Sequence, residues 1–412
     1  MTRKKTRSAT LWGAFLAAHV LVAWLGWVLP SQPMGDVTLV YQPWSAAALG
    51  GGPVVGITET WVYPQLALVP MLLAQVLAVP FTTAFGVAGG YLIGWAVLVT
   101  LCDMLAFGAL VGSGGTRRRR RAAWFWIGAL VLLGPIAMYR IDAITVPIAI
   151  AGGLWLAQRP RVGAALLTIG AWVKIWPGAI ILAVVAAGRR SWQVAFTAAS
   201  VSAAIVVVLL LLGAGEHAFG FLLTQTGRGL QIEAVAATPF LWLAVVGAVR
   251  IEYSFDILTF QIVAPGADAV STVLTAVMVV VLVGIVVLGI VRARDGAAWQ
   301  RLLPPLALAL VVALIVTNKV GSPQFGTWLI APAILWLVFD RPRARTATVL
   351  VLLLCALTFT IYPLVYDGLL RAEPAAVLVV TVRNLLLVVL LVHSVRAVTR
   401  VPKASASTRP TP

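Results

Sequence analysis

Long apolar stretches, separated by short groups of charged residues, run through almost the whole chain. A helix that crosses a bilayer needs about 20 predominantly apolar residues, and many stretches of the chain approach or reach that length. They predict helices over residues 10–29, 122–139, 143–157, 192–214, 268–291, 302–317, 324–340, 346–363 and 374–395. This pattern is typical of an all-α polytopic membrane protein.

Three further apolar stretches do not fit simple crossings. Residues 61–112 predict two helices, 61–80 and 86–112. The loops before and after this stretch are expected on opposite sides of the membrane, so only an odd number of crossings fits. Residues 61–80 are therefore expected to be partly interfacial or re-entrant. Residues 162–188 are too short for a crossing and a return, which together need about 40 residues. They predict a short re-entrant hairpin. With 238–262 left open, we expect about 11–13 membrane segments.

The composition excludes a soluble fold, because 61% of the 412 residues are hydrophobic and only 10% are charged. The net charge of +17 would indicate nucleic acid in a soluble protein, but most of the basic residues lie in short loops between apolar stretches. Short basic loops mark the cytoplasmic side of a membrane. We therefore expect a multi-pass plasma-membrane protein with both termini in the cytoplasm and no nucleic-acid partner.

The same alternation places the remaining connections on the outer side of the membrane. These are residues 30–60, 140–142, 215–237, 318–323 and 364–373. Residues 1–396 are expected to form a single transmembrane domain, in which 30–60 is the first outer loop. Residues 397–412 are expected to form a disordered cytoplasmic tail.

Few polar residues lie at the outer side or at membrane depth, and they include one acid in an aromatic-rich loop and several cations from separate segments. They are Asp36, Tyr41, Trp44, Glu59, Arg140, Asp142, Lys174, Arg228, Gln231, Glu233, Asn318, Lys319, Ser322, Gln324 and Arg383. An ionisable residue inside a membrane indicates a functional site. Transfer of a sugar from a lipid phosphate requires such groups, because cations neutralise the departing phosphate and a carboxylate removes a proton from the attacking hydroxyl.

Four stretches of the chain carry a resemblance to a known family. They are GDVTLVYQPW (35–44) followed by WVYPQLAL (61–68), then AWVKIWP (171–177), GRGLQIEAVAA (227–237) and NKVGSPQFGTWL (318–329). In order and in outer placement they resemble the GT-C superfamily of membrane glycosyltransferases. The greatest similarity is to the actinobacterial polyprenyl-phosphate-mannose-dependent α-mannosyltransferases of glycosyltransferase family 87.

The resemblance implies a GT-C type fold and an acid of the first outer loop as the catalytic base, which is Asp36 in this chain. Many GT-C enzymes carry paired acids there, whereas Asp36 stands alone, so we expect neither a metal nor another cofactor. The expected substrate-binding residues are Lys174, Arg228, Lys319, Arg140, Asp142, Tyr41, Trp44, Trp176, Gln231, Glu233, Asn318, Ser322 and Gln324.

The implied activity is an inverting transfer of mannose, from a polyprenyl-phosphate donor to a lipid-anchored glycan acceptor of the phosphatidylinositol mannoside or lipomannan type, on the outer face. Two alternatives stay open: a polyprenyl-phosphate arabinose or pentose transferase, and a secondary transporter or lipid flippase, since half-crossing hairpins and intramembrane charge also serve transport. The donor lipid, the acceptor and the membrane lipids are the expected partners. Whether Lys174 pairs with the donor phosphate or with Asp142 is left open by the sequence.

Overall fold

A computed structural model describes residues 2–112, 116–188, 190–224, 229–254 and 259–403, except for the side chains of residues 2–7 and Leu223. Helices make up most of this part of the chain. The first eight are α1 Thr2–Val28, α2 Gln42–Leu49, α3 Leu68–Val111, α4 Arg117–Leu133, α5 Asp142–Trp155, α6 Pro160–Val173, α7 Gly178–Ala186 and α8 Ser191–Leu211. The others are α9 Gly220–Leu223, α10 Thr238–Val245, α11 Ala267–Arg294, α12 Trp299–Val316, α13 Ile330–Phe339, α14 Arg341–Phe359, α15 Tyr366–Leu370 and α16 Pro374–Thr399.

Seven helical segments of the described chain are long and apolar enough to cross a membrane. They are Ser8–Val28, Gln65–Val111, Ser191–Leu211, Ala267–Arg294, Trp299–Val316, Arg341–Leu364 and Pro374–Thr399. Four shorter apolar helices accompany them, at Asp142–Trp155, Pro160–Val173, Val235–Val245 and Pro323–Phe339. The chain is therefore an all-α, multi-pass membrane protein, as the apolar pattern predicted. The total of 11–13 membrane segments stays a prediction.

The main core is built around α12, whose residues 302–313 are all buried. This helix is apolar on every side, which is typical of a helix inside a protein core or a bilayer. It packs against α7, α11, α13 and α16. By contrast, only 11% of the most apolar stretch of α8 and of α11 is buried, against 72% for α12. The apolar faces of α8 and α11 are therefore available to lipid.

Helix α3 is two helices joined at Gly86, where φ is 72°. The two arms fold back on each other, because a Cβ at Gly94 would meet the backbone of Ala74 and Ala78 at 2.6–2.7 Å. Only glycine allows so close an approach. The sequence predicted these two helices, and the structure adds that they lie against one another. Whether the first arm is interfacial stays a prediction.

The stretch 162–188 has the shape of the predicted hairpin. Helix α6 ends at Val173 and α7 begins at Gly178, so the break falls on Lys174-Ile-Trp-Pro. Each arm is shorter than a full crossing, with 14 residues in α6 and 9 in α7. The Lys174 backbone is extended at this point, with φ −153° and ψ 130°, which ends α6.

Residues 238–262, which the apolar pattern left open, contain a β-hairpin as well as helix α10. Strands β1 Arg250–Ser254 and β2 Thr259–Val263 pair antiparallel, with Arg250 opposite Val263. Residues 230–232 add to the other edge of β2, since the amide of Ile262 donates to the carbonyl of Leu230 at 2.9 Å. The apolar pattern did not predict this small sheet, which is a minor addition to an otherwise helical fold.

Ordered structure continues past residue 396, where the disordered tail was expected to begin. Helix α16 extends to Thr399, and Val401 is buried. The amide of Ala298 also donates to the carbonyl of Pro402 at 3.3 Å. Residues 397–403 are therefore ordered, and the disordered tail stays a prediction. Residues 404–412 lie outside the described part of the chain.

Candidate functional site

Asp36 lies in the segment between α1 and α2, immediately before a π-helical turn, Val37–Tyr41, that leads into α2. Its side chain is 37% exposed, and its Oδ2 lies 3.3 Å from Nε of Arg140. This ion pair attracts the carboxylate toward Arg140 without a hydrogen bond, since Nε of Arg140 has no hydrogen-bond partner among the described residues. Asp36 is thus positioned by a cation and is still accessible from outside the protein.

Arg140 is buried and joins three separate parts of the chain. Its Nη1 donates to the carbonyls of Pro33 at 2.7 Å and Tyr139 at 2.8 Å, and its guanidinium lies 5.5 Å from the ring centroid of Tyr362. Burial lowers the pKa of Arg140, but the Asp36 carboxylate, Tyr362 and Tyr41 together raise it by more, so the net shift is upward. Arg140 therefore stays charged and fixes the segment that carries Asp36.

Asp142 and Lys174 are brought together by the lengths of two neighbouring helices. Asp142 is the first residue of α5 and Lys174 directly follows α6, and each of these antiparallel helices has 14 residues. The helices approach closely, because a Cβ at Gly163 would lie 2.7 Å from the carbonyl oxygen of Gly152. Equal lengths place the start of α5 level with the end of α6. The charges of Asp142 and Lys174 consequently interact.

The carboxylate of Asp142 is fully buried and only partly satisfied. Its Oδ1 accepts a hydrogen bond of 2.6 Å from Nε1 of Trp328, while Oδ2 has no hydrogen-bond partner among the described residues. The Nζ of Lys174 lies 4.3 Å from the ring centroid of Tyr63, in the range of a cation–π contact. Lys174 therefore lies between an acid and an aromatic ring.

Trp176 supports this arrangement from inside the protein. Its ring is fully buried and stacks on Trp328, with 6.1 Å between the centroids and 13° between the planes. Its Nε1 donates to the hydroxyl of Thr145 at 2.9 Å. In this conformation the ring is out of reach of a substrate, and it fixes Trp328, the donor to Asp142.

The predicted residues described so far form one group. A second group lies in the segments 229–234 and 318–324. The amide of Gln231 donates to the carbonyl of Lys319 at 3.0 Å, and the side-chain oxygen of Gln231 accepts from the amide of Gly321. Gly321 lies directly against the peptide that joins Glu233 and Ala234, in a space that excludes a Cβ. The two segments are therefore fixed to each other through their backbones.

Glu233 and Arg383 form a buried ion pair in this second group. Nη2 of Arg383 lies 3.4 Å from Oε2 of Glu233 and donates to the Glu233 carbonyl at 3.0 Å. Burial raises the pKa of Glu233 to about 7, although Arg383 and Arg140 oppose this shift. The Glu233 charge interacts with that of Arg140. The Glu233–Arg383 pair and the group around Asp36, Arg140, Asp142 and Lys174 therefore form one cluster of charges, which we call the charged neighbourhood.

The remaining predicted residues lie in these groups or beside them. Tyr41 is fully buried, and its hydroxyl accepts from the amide of Ile141 at 3.1 Å. Trp44 forms an aromatic cluster with Trp61 and Tyr63, with 5.4 Å and 6.1 Å between its ring centroid and theirs. Beyond these, Lys319 is buried, the Asn318 side chain accepts from the amide of Val320, and the Ser322 hydroxyl donates to Gln324. Arg228 lies outside the described residues.

Tyr63, Tyr362 and Tyr366 were missed by sequence reasoning. Tyr63 lies against Lys174, and Tyr362 lies between Arg140 and Tyr366, with 4.9 Å between the two tyrosine centroids. A tyrosine at the end of an apolar stretch gives no signal by itself, because interfacial tyrosines are common. Arg383, left open by the sequence, is shown to reach Glu233. The sequence signal that pointed to Arg383 was a single arginine inside an apolar helix.

Among the residues that the structure describes, no group of three or more His, Cys, Asp or Glu side chains could hold a metal ion. The expected independence from metal and cofactor stays a prediction. Comparison of the chain with protein-family models, curated proteins and solved structures found no match. The fold and the residues thus define a class, a polytopic α-helical membrane protein with a cluster of buried charges. The GT-C resemblance remains a prediction.

Proposed function

We propose that this protein is an inverting glycosyltransferase, which moves mannose from a polyprenyl-phosphate donor to a lipid-linked glycan acceptor on the outer face of the membrane. One observation carries the proposal: of the three acids in the charged neighbourhood, only Asp36 is partly exposed. Its side chain is 37% exposed, whereas Asp142 and Glu233 are essentially buried. A general base must reach the hydroxyl that it deprotonates, and Asp36 meets this requirement.

In the proposed reaction the acceptor hydroxyl oxygen bonds to the anomeric carbon as the bond from that carbon to the phosphate oxygen breaks. Asp36 takes the hydroxyl proton, and Arg140 holds the carboxylate in place. The electron pair of the broken bond remains on the polyprenyl phosphate. A single displacement from the opposite face inverts the anomeric centre. We assign no metal to this step.

Cations contributed by separate segments would neutralise the leaving phosphate. Lys174, at the break between α6 and α7, and Lys319, beside Gln231, are the described candidates. Preorganised positive charge that meets developing negative charge is a large catalytic term. Arg140 already donates to two carbonyls and contacts Asp36, so its role in this proposal is to position the base.

The replacement Asp36→Asn tests the base directly. Removing a positioned base costs about 10²–10⁴-fold in rate, so the purified Asn variant should bind labelled polyprenyl-phosphate mannose but transfer it at least 100-fold more slowly. Glu59→Gln is the matched control, because Glu59 is the other acid of residues 30–60 and is exposed. It should transfer at nearly the native rate. Native-like transfer by Asp36→Asn would refute this role.

The replacement Lys174→Met separates the two candidate partners of the lysine. If the donor phosphate is the partner, donor binding and transfer should weaken together, thermal stability should change little and Lys174→Arg should be milder. If Asp142 is the partner, Lys174→Met should destabilise the protein, because removing one member of a buried pair leaves the other charge uncompensated. The double variant Lys174→Met/Asp142→Asn should then regain stability. Recovery of both stability and donor affinity in this double variant would contradict the phosphate role.

The same assays test the alternative classes. A pentose transferase would transfer labelled arabinose from polyprenyl phosphate in preference to mannose. A transporter or flippase would move a labelled lipid between the leaflets of a vesicle, with no new glycosidic bond. Incubating the purified protein with each labelled donor and a lipid extract, and identifying the labelled product, distinguishes the three.

A further inference from the structure

A basic groove lies at the face of the protein that carries the short basic loops, away from the charged neighbourhood described above. Its volume is about 370 Å³, and it is lined by Arg159, Pro160, Arg161, Val162, Arg190 and Gln193. Arg159 and Arg161 flank the start of α6, while Arg190 immediately precedes α8. Two connections that are separate in sequence therefore contribute three arginines to the lining of one cavity.

The positive charge of this groove is not neutralised within the described chain. No acid lines the cavity, and none of the ion pairs among the described residues involves these three arginines. Other arginines at the same face differ: Arg292 lies 3.0 Å from a carboxylate oxygen of Asp295, and Arg343 lies 3.5 Å from one of Asp340. Like charges that line one cavity repel each other and favour an anion between them.

Helix α8, which begins next to Arg190 and contributes Gln193 to the groove, carries exposed aromatic side chains that favour one kind of anion. Trp192 is 76% exposed and Phe196 is 60% exposed, and their rings lie 6.0 Å apart on α8. Beyond them the apolar face of α8 continues largely unburied. Exposed tryptophans are typical of the membrane–water interface. A free inorganic anion gains nothing from this surface, whereas a lipid can lay its acyl chains along it.

We propose that this groove binds the phosphate headgroup of an anionic phospholipid, with the acyl chains lying along the exposed face of α8. Guanidinium groups suit the headgroup because each can donate two parallel hydrogen bonds to phosphate oxygens. Val162 lines the groove and Trp192 directly precedes Gln193, which also lines it, so in this proposal both side chains contact the glycerol and the first methylene groups. The inference is independent of the proposed glycosyl transfer.

The test is native mass spectrometry of the purified protein in detergent, titrated separately with phosphatidylglycerol, phosphatidylcholine and inorganic phosphate. The wild type should retain phosphatidylglycerol in preference to the other two. The variant Arg159→Gln/Arg161→Gln/Arg190→Gln should bind phosphatidylglycerol about 100-fold more weakly, since each basic side chain at a membrane surface contributes about fivefold to the binding of anionic lipid. Trp192→Ala should weaken it less, because it leaves the headgroup contacts intact.

Arg117→Gln/Arg118→Gln/Arg121→Gln is the matched control, because it removes the same charge from exposed positions of α4. It should bind phosphatidylglycerol within about twofold of the wild type if the groove is a site. An equal loss in both triple variants would overturn the proposal in favour of general charge attraction. Equal retention of phosphatidylcholine, or full displacement of the lipid by inorganic phosphate, would also overturn it. If the groove variant unfolds, the single change Arg190→Gln provides the same comparison.

Discussion

Arg383 and Glu233 form an almost wholly buried ion pair, and removing one charge should leave the other without compensation. The two side chains are 5% and 0% exposed, with 3.4 Å between Nη2 and Oε2. Nε of Arg383 and Oε1 of Glu233 already lack hydrogen-bond partners among the described residues. Little spare hydrogen bonding is therefore present to stabilise a single remaining charge.

The replacement Arg383→Met should lower the free energy of unfolding by about 3–5 kcal/mol, the usual cost of breaking a buried pair. Arg371→Met is a matched control. Arg371 pairs with Glu373 at only 2.8 Å, but the two side chains are 66% and 51% exposed. Water screens such a pair, so its loss should cost about 1 kcal/mol or less. Burial, and not distance, should decide which replacement is more damaging.

Unfolding of the purified variants in detergent, followed by tryptophan fluorescence at increasing temperature, provides the measurement. The double variant Arg383→Met/Glu233→Gln should recover part of the loss, since a neutral amide is less costly to bury than a carboxylate. The loss from Arg383→Met should also be smaller at pH 5 than at pH 8, because Glu233 takes up a proton at the lower pH. Equal destabilisation by Arg383→Met and Arg371→Met would refute the argument.

Three further predictions concern the backbone contact, the pH response and the topology. Gly321→Ala should destabilise the protein by about 1–3 kcal/mol, because its Cβ would overlap the peptide after Glu233. Gly284→Ala is the control, because a Cβ there meets no atom within 4 Å; alanine is favoured over glycine inside a helix by about 0.5–1 kcal/mol, so this change should not destabilise the protein in the same unfolding assay. Since Glu233 has a pKa of about 7 against 4.5 for a free side chain, the folded state binds its proton more tightly. Protonation of Glu233 therefore stabilises the folded state by about 3 kcal/mol at most, and this stabilisation should be lost as the pH rises from 4.5 through 7. The pH dependence should be absent in Glu233→Gln. Parallel pH profiles of stability for the wild type and this variant would contradict the prediction. In a background without native cysteines, a membrane-impermeant reagent on intact cells should label Glu59→Cys and spare Arg118→Cys, and the reverse pattern would invert the proposed orientation.

The apolar pattern was sufficient to predict the class of protein and most of the helices. Helix α12 at Trp299–Val316 and α16 at Pro374–Thr399 fall where the stretches 302–317 and 374–395 predicted them. The break at Lys174 was predictable because a charge followed by Trp-Pro interrupts a stretch too short to cross twice. The paired strands at 250–254 and 259–263 were not predicted, because their alternation is brief and the apolar pattern left 238–262 open.

Whether neighbouring charges meet could not be read from the sequence. Arg140 and Asp36 are separated by more than one hundred residues, and the pairing of Glu233 with Arg383 spans 150. Asp103, inside an apolar stretch, was not identified, yet its carboxylate lies 3.0 Å from His19 of α1. Such pairs depend on which helix faces are adjacent, and hydropathy along one segment carries no information about its neighbour.

The sequence by itself determined that the chain is helical and enters a membrane, because the backbone must satisfy its hydrogen bonds within each segment where no water is available. It also identified the polar residues whose burial would be too costly without a partner. Only the tertiary structure decided which partners they have and which acid remains accessible. Equal helix lengths place Asp142 level with Lys174, and the close approach of Gly321 to Glu233 joins the segments 229–234 and 318–324. Exposure and ion pairing arise from the packing of distant segments, which the order of residues along one helix does not specify.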